Sequence, residues 1–515
     1  MMNVCRDKNS KKGWTTRCVA TFLCAVSLLG LAGCGNAKEV SNELSYEMEI
    51  EVPRADASEK RPEGNRANIM NPMSGGAEAA AEKLRESILE AGDAVSVTGK
   101  TYYISTGGDD LNDGLSPETA FGSLDVLRWL KLSEGDAVLL ERDSVFRITE
   151  PIAAVSGVTY GAYGSGDKPC IYGSPKNYAE GSLWTPSRMQ NVWKLDFGYG
   201  DAGNIVFNHG EYVGIKKMVG LNQLKETGDF YHNVTDGIVY LYCADGNPGN
   251  CYEDIEISPH SILVYLNVAV SDVTIDNWCM KYSGGFAVSG AQANRGITIT
   301  NCEIGYIGGS KLNLNTRYGN AIQFWNGTQN TVVNNCWIYQ VFDTAITFQG
   351  TSHSAYENIS FCSNLLEYND MDIEIWDEGK NFAVSNLVIE DNIMRFNSHG
   401  WGTRNIDSGN RGGAASFKFK FGNCVSCSAI LKNNIFDCPN YNAVYCILPS
   451  AGALDINVSG NAVYANSNRA SDDMVRYGAF VDNKIPDAIK ATNQSELEAA
   501  FHRFDASATE IQWLP

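Results

Sequence analysis

The sequence predicts an all-β fold, a parallel β-solenoid, and three observations lead to that prediction. A short sequence motif recurs seven times, with apolar residues at alternate positions followed by an asparagine. These asparagines are Asn277, Asn301, Asn335, Asn364, Asn392, Asn434 and Asn461. Their spacings of 24 to 42 residues are typical of stacked repeats. The alternation indicates short strands, and one such unit cannot bury its own apolar face, so successive units must stack.

The composition is globular, and the charge excludes one class of partner. The chain has 515 residues, of which 44% are hydrophobic, and a formal net charge of −20. Nucleic acids bind basic surfaces, so nucleic acid is not an expected partner. The sequence contains no P-loop, dinucleotide fingerprint or Gly-x-Ser-x-Gly motif, so it carries no signature of nucleotide binding or serine hydrolysis.

The N-terminus is predicted to be a targeting segment, residues 1–33. A basic stretch precedes an apolar run, 19–31, that is too short for a comfortable membrane span. The residues Leu31-Ala32-Gly33-Cys34 resemble the bacterial lipobox. That resemblance implies cleavage before Cys34 and attachment of lipid, palmitate included, to its sulfur. The mature protein would then be a monomeric lipoprotein on the extracytoplasmic face of a bacterial cell membrane, whereas an ordinary signal peptide is the alternative.

The remaining chain divides into five predicted segments. Residues 34–98 are expected to be a largely flexible tether with one short helix at 77–91, and 99–183 an N-terminal cap with the first coils. Residues 184–258 lose the repeat and suggest an inserted antiparallel β-module. The regular solenoid spans 259–466, and 467–515 forms a C-terminal cap with a helix at 495–504.

Residues 101–147 combine a tyrosine-rich strand, an Asp-Gly turn, a Pro-Glu-Thr-Ala-Phe step and a Gly-Asp strand. This order resembles the N-terminal cap of bacterial right-handed parallel β-helix proteins of the pectate-lyase-like superfamily. The resemblance implies a right-handed parallel β-helix, the pectin lyase fold, whose first coils are closed by this segment. A closed end would protect the open sheet edges from aggregation.

The alternation also predicts which side chains share an outward face. Strands in adjacent coils lie about 4.8 Å apart, so equivalent outward positions form rows. One predicted row contains Gln323, Thr347 and Glu374, then Gly402 or Lys418. The adjoining row contains Trp325, Gln349 and Trp376, then Arg404 or Lys420.

Trp325 and Trp376 indicate a sugar-binding platform, because flat aromatic side chains are unusual on a polar strand face and indoles stack on sugar rings. The alternative is that a loop, such as 405–413, covers both. His399, in a His-Gly-Trp turn near this face, is either a substrate contact or a structural residue.

Glu374 and Asp343 are the predicted pair of catalytic carboxylates. A pair about 5–5.5 Å apart suits retaining glycoside hydrolysis, and a wider pair suits inversion. Two like charges this close would also raise one pKa, which would give an acid and a base. Alternatively, both side chains only hydrogen-bond turns and neighbouring coils.

Three segments resemble successive motifs of family-nine pectate lyases: FDTAITF at 342–348, NDMDIEIW at 369–376 and ASFKFKFGN at 415–423. The resemblance implies that Asp343, Asp370 and Glu374 bind calcium and that Lys418 removes the proton next to a uronate carboxylate. Lys420 or Arg404 would be the nearby cation that lowers the pKa of this lysine.

The 15 cysteines do not form an obvious disulfide framework, because eleven remain after the leader and Cys34 are set aside. Cys302 and Cys336 follow turn asparagines and are expected to stack as buried thiols. Cys243 and Cys251 flank a short loop that they could close.

These features predict a surface-tethered carbohydrate-active enzyme that cleaves a polysaccharide. The mechanism is either glycoside hydrolysis by Glu374 and Asp343 or calcium-assisted β-elimination with Lys418 as base. The alternatives are a non-catalytic glycan-binding lipoprotein and a uronate epimerase.

Overall fold

The chain forms a right-handed parallel β-helix, as predicted. The computed structural model describes residues 59–60, 72–93, 95, 97–313, 315–352, 354–379, 382–403, 414–420, 424–449, 453–482 and 484–515. Three long sheets run along this molecule, and each regular coil contributes one strand to each sheet in the order sheet 1, sheet 2, sheet 3.

Sheet 1 contains Ile152–Ala153, Ile262–Leu266, Phe286–Gly290, Ile322–Trp325, Thr344–Gly350, Met371–Asp377, Ala415–Lys420, Asn442–Leu448, Asp473–Ala479 and Ile489–Lys490. Sheet 2 contains Thr101–Ile104, Ala137–Glu141, Thr159–Tyr163, Ser271–Asp276, Asn294–Thr300, Thr328–Asn334, Ala355–Cys362, Phe382–Glu390, Cys424–Lys432 and Ala453–Ser459. Sheet 3 contains Glu59–Lys60, Ser144–Arg147, Cys170–Tyr172, Cys279–Lys281, Glu303–Gly305, Trp337–Tyr339, Leu365–Glu367, Ile393–Arg395, Ile435–Asp437, Ala462–Ala465 and Ile511–Trp513. Adjacent strands are parallel except the first pair of sheet 3 and the last pair of sheet 1.

The seven repeated asparagines do not occupy equivalent positions in their coils, although the sequence suggested that all seven align. Asn277, Asn301 and Asn335 adopt the left-handed backbone conformation, with φ of 60°, 53° and 50°. In later coils a different residue takes that conformation, for example Ser363, and the asparagine follows it. Asparagine and glycine tolerate this conformation, whereas the residue after it points into the core.

The later asparagines form a buried amide ladder through the core. The side chain of each donates to the next, from Asn364 to Asn392 (2.9 Å), Asn434 (2.9 Å) and Asn461 (3.0 Å), and the ladder ends on Asp505 (2.9 Å). Each amide also donates to a backbone carbonyl and accepts a backbone N–H from the preceding coil. The ladder therefore joins four coils and the C-terminal cap.

Cys302 and Cys336 occupy this core position in the earlier coils and are wholly buried, as expected. The backbone N–H of Cys336 donates to Oδ1 of Asn364 at 3.0 Å. The column of thiols is thus continuous with the amide ladder.

The N-terminal helix α1, Glu78–Leu89, packs on the outer face of sheet 3. Two residues of this helix, Ala81 and Ile88, are buried. Arg395 of sheet 3 is 2.5 Å from Glu78 of the helix, and it also pairs with Glu367 at 3.0 Å. Residues 72–93 are therefore packed rather than a flexible tether; Cys34 and residues 1–58 lie outside the described residues.

Residues 185–258 form a small module of mostly antiparallel strands, with one parallel pair. One sheet contains Thr185–Pro186, Val192–Asp196, Ile215–Lys216, Asp229–Asn233 and Ile238–Tyr242, and a smaller one contains Asn204–Phe207, Tyr212–Val213 and Ile255–Ser258. Helix α2, Pro248–Cys251, connects the two sheets. A hairpin outside the module pairs Ser310–Lys311 with Arg317–Tyr318.

The C-terminal segment closes the core. Helix α3, Gln494–Phe501, buries Leu497, Ala500 and Phe501 over the last coil. Short 3₁₀ turns occur at Pro117–Thr119, Leu124–Arg128, Gly181–Leu183, Asn208–Gly210 and Leu221–Gln223. Within the described part of the chain, no helix has the length and apolar character needed to span a membrane.

Replacing Asn392 by alanine should lower the free energy of unfolding by about 2–4 kcal/mol, because it removes a buried amide and leaves its partners unsatisfied. The measurement is the denaturant midpoint at constant slope. The control is Asn386→Gly, which breaks a side-chain bond to Asn358 on the exposed outer surface of sheet 2 and should change stability much less. An equal loss in both variants would contradict a special role for the buried ladder.

Candidate functional site

The outward face of sheet 1 carries the predicted rows in register. Backbone pairing aligns Gln323, Thr347, Glu374 and Lys418, and the row continues to Tyr445 and Arg476. The adjoining row aligns Trp325, Gln349, Trp376 and Lys420. Of the predicted alternatives, the next coil therefore supplies Lys418 and Lys420. Gly402 lies against the backbone of Phe342, and Arg404 lies outside the described residues. We call this surface the sheet-1 face.

Glu374 and Lys418 form an ion pair at the centre of the sheet-1 face. Lys418 Nζ is 2.6 Å from Oε1 of Glu374, and Gln349 Nε2 donates to Oε2 at 2.7 Å. Thr344 Oγ1 donates to the same oxygen at 3.4 Å. The Glu374 side chain is 4% exposed and that of Lys418 is 27% exposed. The carboxylate therefore lies below the surface, with both oxygens hydrogen-bonded, and the ammonium group faces solvent.

A second carboxyl group, Asp372, lies on the same side of the same strand, two residues before Glu374. Two residues of a strand span about 6.6 Å. Asp372 is wholly buried, and Asn369 Nδ2 donates to its Oδ1 at 3.2 Å. Burial raises the pKa of Asp372 well above its usual value, which favours the protonated form of this carboxyl group.

Asp372 was not among the candidate site residues predicted from the sequence. The alternation of the strand was the available signal. Its burial depends on residues from other coils and turns, which the local pattern does not contain.

Asp343 and Asp370 occupy equivalent turns at the edge of sheet 1, as predicted, since Thr344 pairs with Met371. Asp370 Oδ1 accepts a hydrogen bond from Thr403 Oγ1 at 2.7 Å. Asp343 is buried, at 1% exposure. Glu374 pairs with Thr347 on the neighbouring strand, and Asp343 lies four residues before Thr347. Both aspartates therefore lie at one edge of the sheet-1 face.

The set predicted to bind calcium does not form a single site. Among the described residues, no group of three or more His, Cys, Asp and Glu side chains is placed to hold a metal ion. Asp343 and Asp370 lie at the edge of the sheet, whereas Lys418 and Gln349 bond both oxygens of Glu374. Calcium needs several unoccupied oxygen ligands around one point, and these residues do not fit that requirement.

The two tryptophans lie on the sheet-1 face as predicted, each partly exposed. They are two coils apart, about 10 Å, with Gln349 between them. Gln323 is partly exposed and accepts from Asn320 at 2.7 Å, and Lys420 is exposed. Loop 405–413, the predicted cover, lies outside the described residues. The described surface therefore combines indole rings with amide and ammonium groups.

His399 lies in the turn after the sheet 3 strand Ile393–Arg395 and is partly exposed. Burial lowers its pKa to about 4, and the charge of Arg469 acts in the same direction. His399 is therefore neutral at pH 7. Trp401 in the same turn is buried, and its Nε1 donates to the carbonyl of Gln340 at 2.7 Å, which anchors the turn to the coil below.

Comparison with known proteins gives similarity of architecture. No family model matches this chain, and no curated protein matches it. A solved complex of XylC with xylose is 11% identical, with 80% of this chain and 82% of that chain covered and a TM-score of 0.44. A structure described as a glycoside hydrolase is 11% identical over 74% and 95% of the two chains, with a TM-score of 0.43. Pectate lyase Pel9A is 12% identical over 76% and 79%, with a TM-score of 0.36. Similarity at this level carries no information about activity, so function has to be inferred from the residues of the site.

Replacing Asp372 by asparagine should flatten the pH dependence of stability. The native state keeps this proton above pH 4, whereas the unfolded chain releases it with a pKa of about 3.9. The free energy of unfolding therefore falls as pH rises from about 4 through the raised native pKa, and asparagine removes this contribution. The measurement is the denaturant midpoint from pH 4 to pH 8.

The control is Asp455→Asn, which alters an exposed carboxyl group of sheet 2. If the two variants show the same pH profile, Asp372 does not retain its proton in the folded protein.

Proposed function

We propose that this chain is a carbohydrate-active enzyme that hydrolyses glycosidic bonds of a polysaccharide on the sheet-1 face. One observation carries the proposal: Glu374 and Asp372 lie on the same side of one strand in different environments, one paired with a lysine and the other wholly buried. Lys418 pairs with Glu374, while burial raises the pKa of Asp372 well above its usual value and favours its acid form. Glycosidases need one carboxylate and one carboxylic acid.

The spacing favours inversion of configuration. Inverting enzymes hold their carboxyl groups about 6.5–9.5 Å apart, which leaves room for a water molecule, and the backbone positions of these two residues are separated by about 6.6 Å along the strand. Glu374 would take a proton from water, whose oxygen attacks the anomeric carbon. Asp372 would give its proton to the departing sugar oxygen. Asp343, the acid expected from the sequence, is the alternative proton donor at the edge of the same face.

Substrate binding has to rearrange two contacts before this reaction. Asp372 is out of contact with solvent, so a bound sugar must displace the residues that cover it. Glu374 must release one of its hydrogen bonds, and the bond from Gln349 is the natural choice because this amide can turn towards a sugar hydroxyl. Trp325 and Trp376 would stack on sugar rings on either side.

β-Elimination is the second candidate, and the exposure of Lys418 favours it. The lysine is the solvent-facing member of the pair, so it is the first group a uronate would meet. It would have to lose its proton before acting as a base, and the adjacent carboxylate of Glu374 opposes that loss. Hydrolysis requires no such change, so it is the first choice.

The test is a panel of neutral and acidic polysaccharides, with Glu374→Gln, Asp372→Asn and Lys418→Met as variants. We expect reducing ends without unsaturation, and a loss of kcat of about 10²-fold to 10⁴-fold in the first two variants. The matched controls are Glu390→Gln and Lys432→Met, which alter another in-register ion pair, with a distance of 3.0 Å, on sheet 2. These controls should retain activity.

The products separate the competing functions. Unsaturated, ultraviolet-absorbing products that disappear in Lys418→Met would show that the reaction is β-elimination and not hydrolysis. Binding without any product would make this a glycan-binding protein, and an altered uronate without chain cleavage would indicate an epimerase. Turnover unchanged in all three site variants would exclude this site.

Attachment to the membrane through Cys34 belongs to the same proposal. Cys34→Ser should remove the lipid and move the protein from the membrane fraction to the soluble fraction of cells, because lipid chains supply the membrane affinity. The measurement is fractionation with intact-mass analysis. An unchanged distribution and no lipid mass on the wild-type protein would contradict it.

A further inference from the structure

The inserted module contains two cysteines at the ends of one short loop. Cys243 follows the strand Ile238–Tyr242, and Cys251 is the last residue of helix α2. Both are free thiols. Cys243 is 1% exposed, whereas Cys251 is exposed. Neither belongs to the sheet-1 face.

The loop brings these two thiols together. The backbone N–H of Cys243 donates to the carbonyl of Asn191 at 2.8 Å, which fixes one end. At the other end, a Cβ on Gly246 would lie 4.0 Å from Sγ of Cys251, so the loop folds back onto this thiol. Burial raises the pKa of the Cys243 thiol to about 11, and the neighbouring Cys251 thiol acts in the same direction. Both thiols also raise the pKa of the nearby Tyr252 phenol.

Other neighbouring thiols are inaccessible. Cys170 lies beside Cys279, and Cys302 beside Cys336, in adjacent coils, and all four are buried in the β-helix. Among the eleven described cysteines, Cys251 alone is exposed. An external reagent therefore meets this thiol first, and its neighbour Cys243 is in position to react next.

We propose that Cys243 and Cys251 form a reversible disulfide by exchange with a small external disulfide, RSSR. The thiol of Cys251 loses its proton, and the thiolate attacks one sulfur of RSSR, which forms a mixed disulfide and expels RS⁻; this ion takes up the proton and leaves as RSH. The thiol of Cys243 then loses its proton and attacks the sulfur of Cys251, which releases the second RSH. The protein loses two hydrogens, and the reagent gains them.

The Cys243–Cys251 disulfide would restrain one edge of the inserted module. Helix α2 is held to the turn Gly181–Leu183 by Asn247, whose Nδ2 donates to the carbonyl of Gly181 at 2.9 Å. Cys243 and Gly246 also line a cavity with Arg188, Asn191 and Trp193. A disulfide closes the loop 243–251, which restricts the unfolded chain and fixes this wall of the cavity.

The test treats the full-length folded protein with reduced and oxidised glutathione at several ratios, blocks free thiols by alkylation and maps the peptides. We expect a Cys243–Cys251 linked peptide, a mass lower by about 2 Da, and a higher Tm in the oxidised form. Reduction should restore the original mass and Tm.

Cys243→Ser and Cys251→Ser should each abolish the linked peptide and the shift in Tm, and Cys251→Ala guards against a folding defect of the serine variant. The control is Cys362→Ser, which changes a partly exposed thiol that lies beside Ser360 and should leave both readouts intact. Two alkylated thiols at 243 and 251 at every ratio, or a disulfide between other cysteines, would overturn the proposal.

Discussion

The register between adjacent coils is the constraint on which the rest of the structure depends, and the buried amide ladder enforces it. Each asparagine from Asn364 to Asn461 bonds the next coil through its side chain and its backbone. A shift of one residue would break these bonds and leave polar groups unsatisfied in the core. It would also exchange the inward and outward side chains of a strand.

The sheet-1 face follows from this register, because its central contacts join three coils. Gln349, Glu374 and Lys418 are distant in sequence, yet their strands are neighbours. The coils set the spacing between them at about 4.8 Å, which allows two side chains to bond the oxygens of Glu374. A buried carboxylate is costly unless it is paired and hydrogen-bonded, and both conditions are met here.

Much of the architecture could be predicted from the sequence, because alternation and repeat period are local signals. These signals predicted the strands, the two outward rows and the helix that corresponds to α1. Alignment by asparagine alone did not reveal that Asn335 and Asn364 occupy different positions, since that difference is a matter of backbone conformation. The docking of α1 on sheet 3 depends on Arg395 and Glu367, which lie hundreds of residues away.

The chemistry of the site was less predictable for a related reason. The family resemblance suggested a calcium set, and residue type suggested a pair formed by Glu374 and Asp343, but hydrogen bonding and register decide which carboxyl groups are near each other, and burial decides how their pKa values shift. Asp372 illustrates this, since burial by other coils raises its pKa well above the usual value. Such burial is a property of the assembled coils and has no signature in the strand itself.

The most direct test of the account is a crystal structure of the Glu374→Gln variant with a bound oligosaccharide. The account predicts a sugar ring stacked on Trp376, with the glycosidic bond lying over residues 372–374 and a sugar hydroxyl within hydrogen-bond distance of Lys418 Nζ. An oligosaccharide bound elsewhere on the β-helix or on the inserted module, with the sheet-1 face empty, would contradict it.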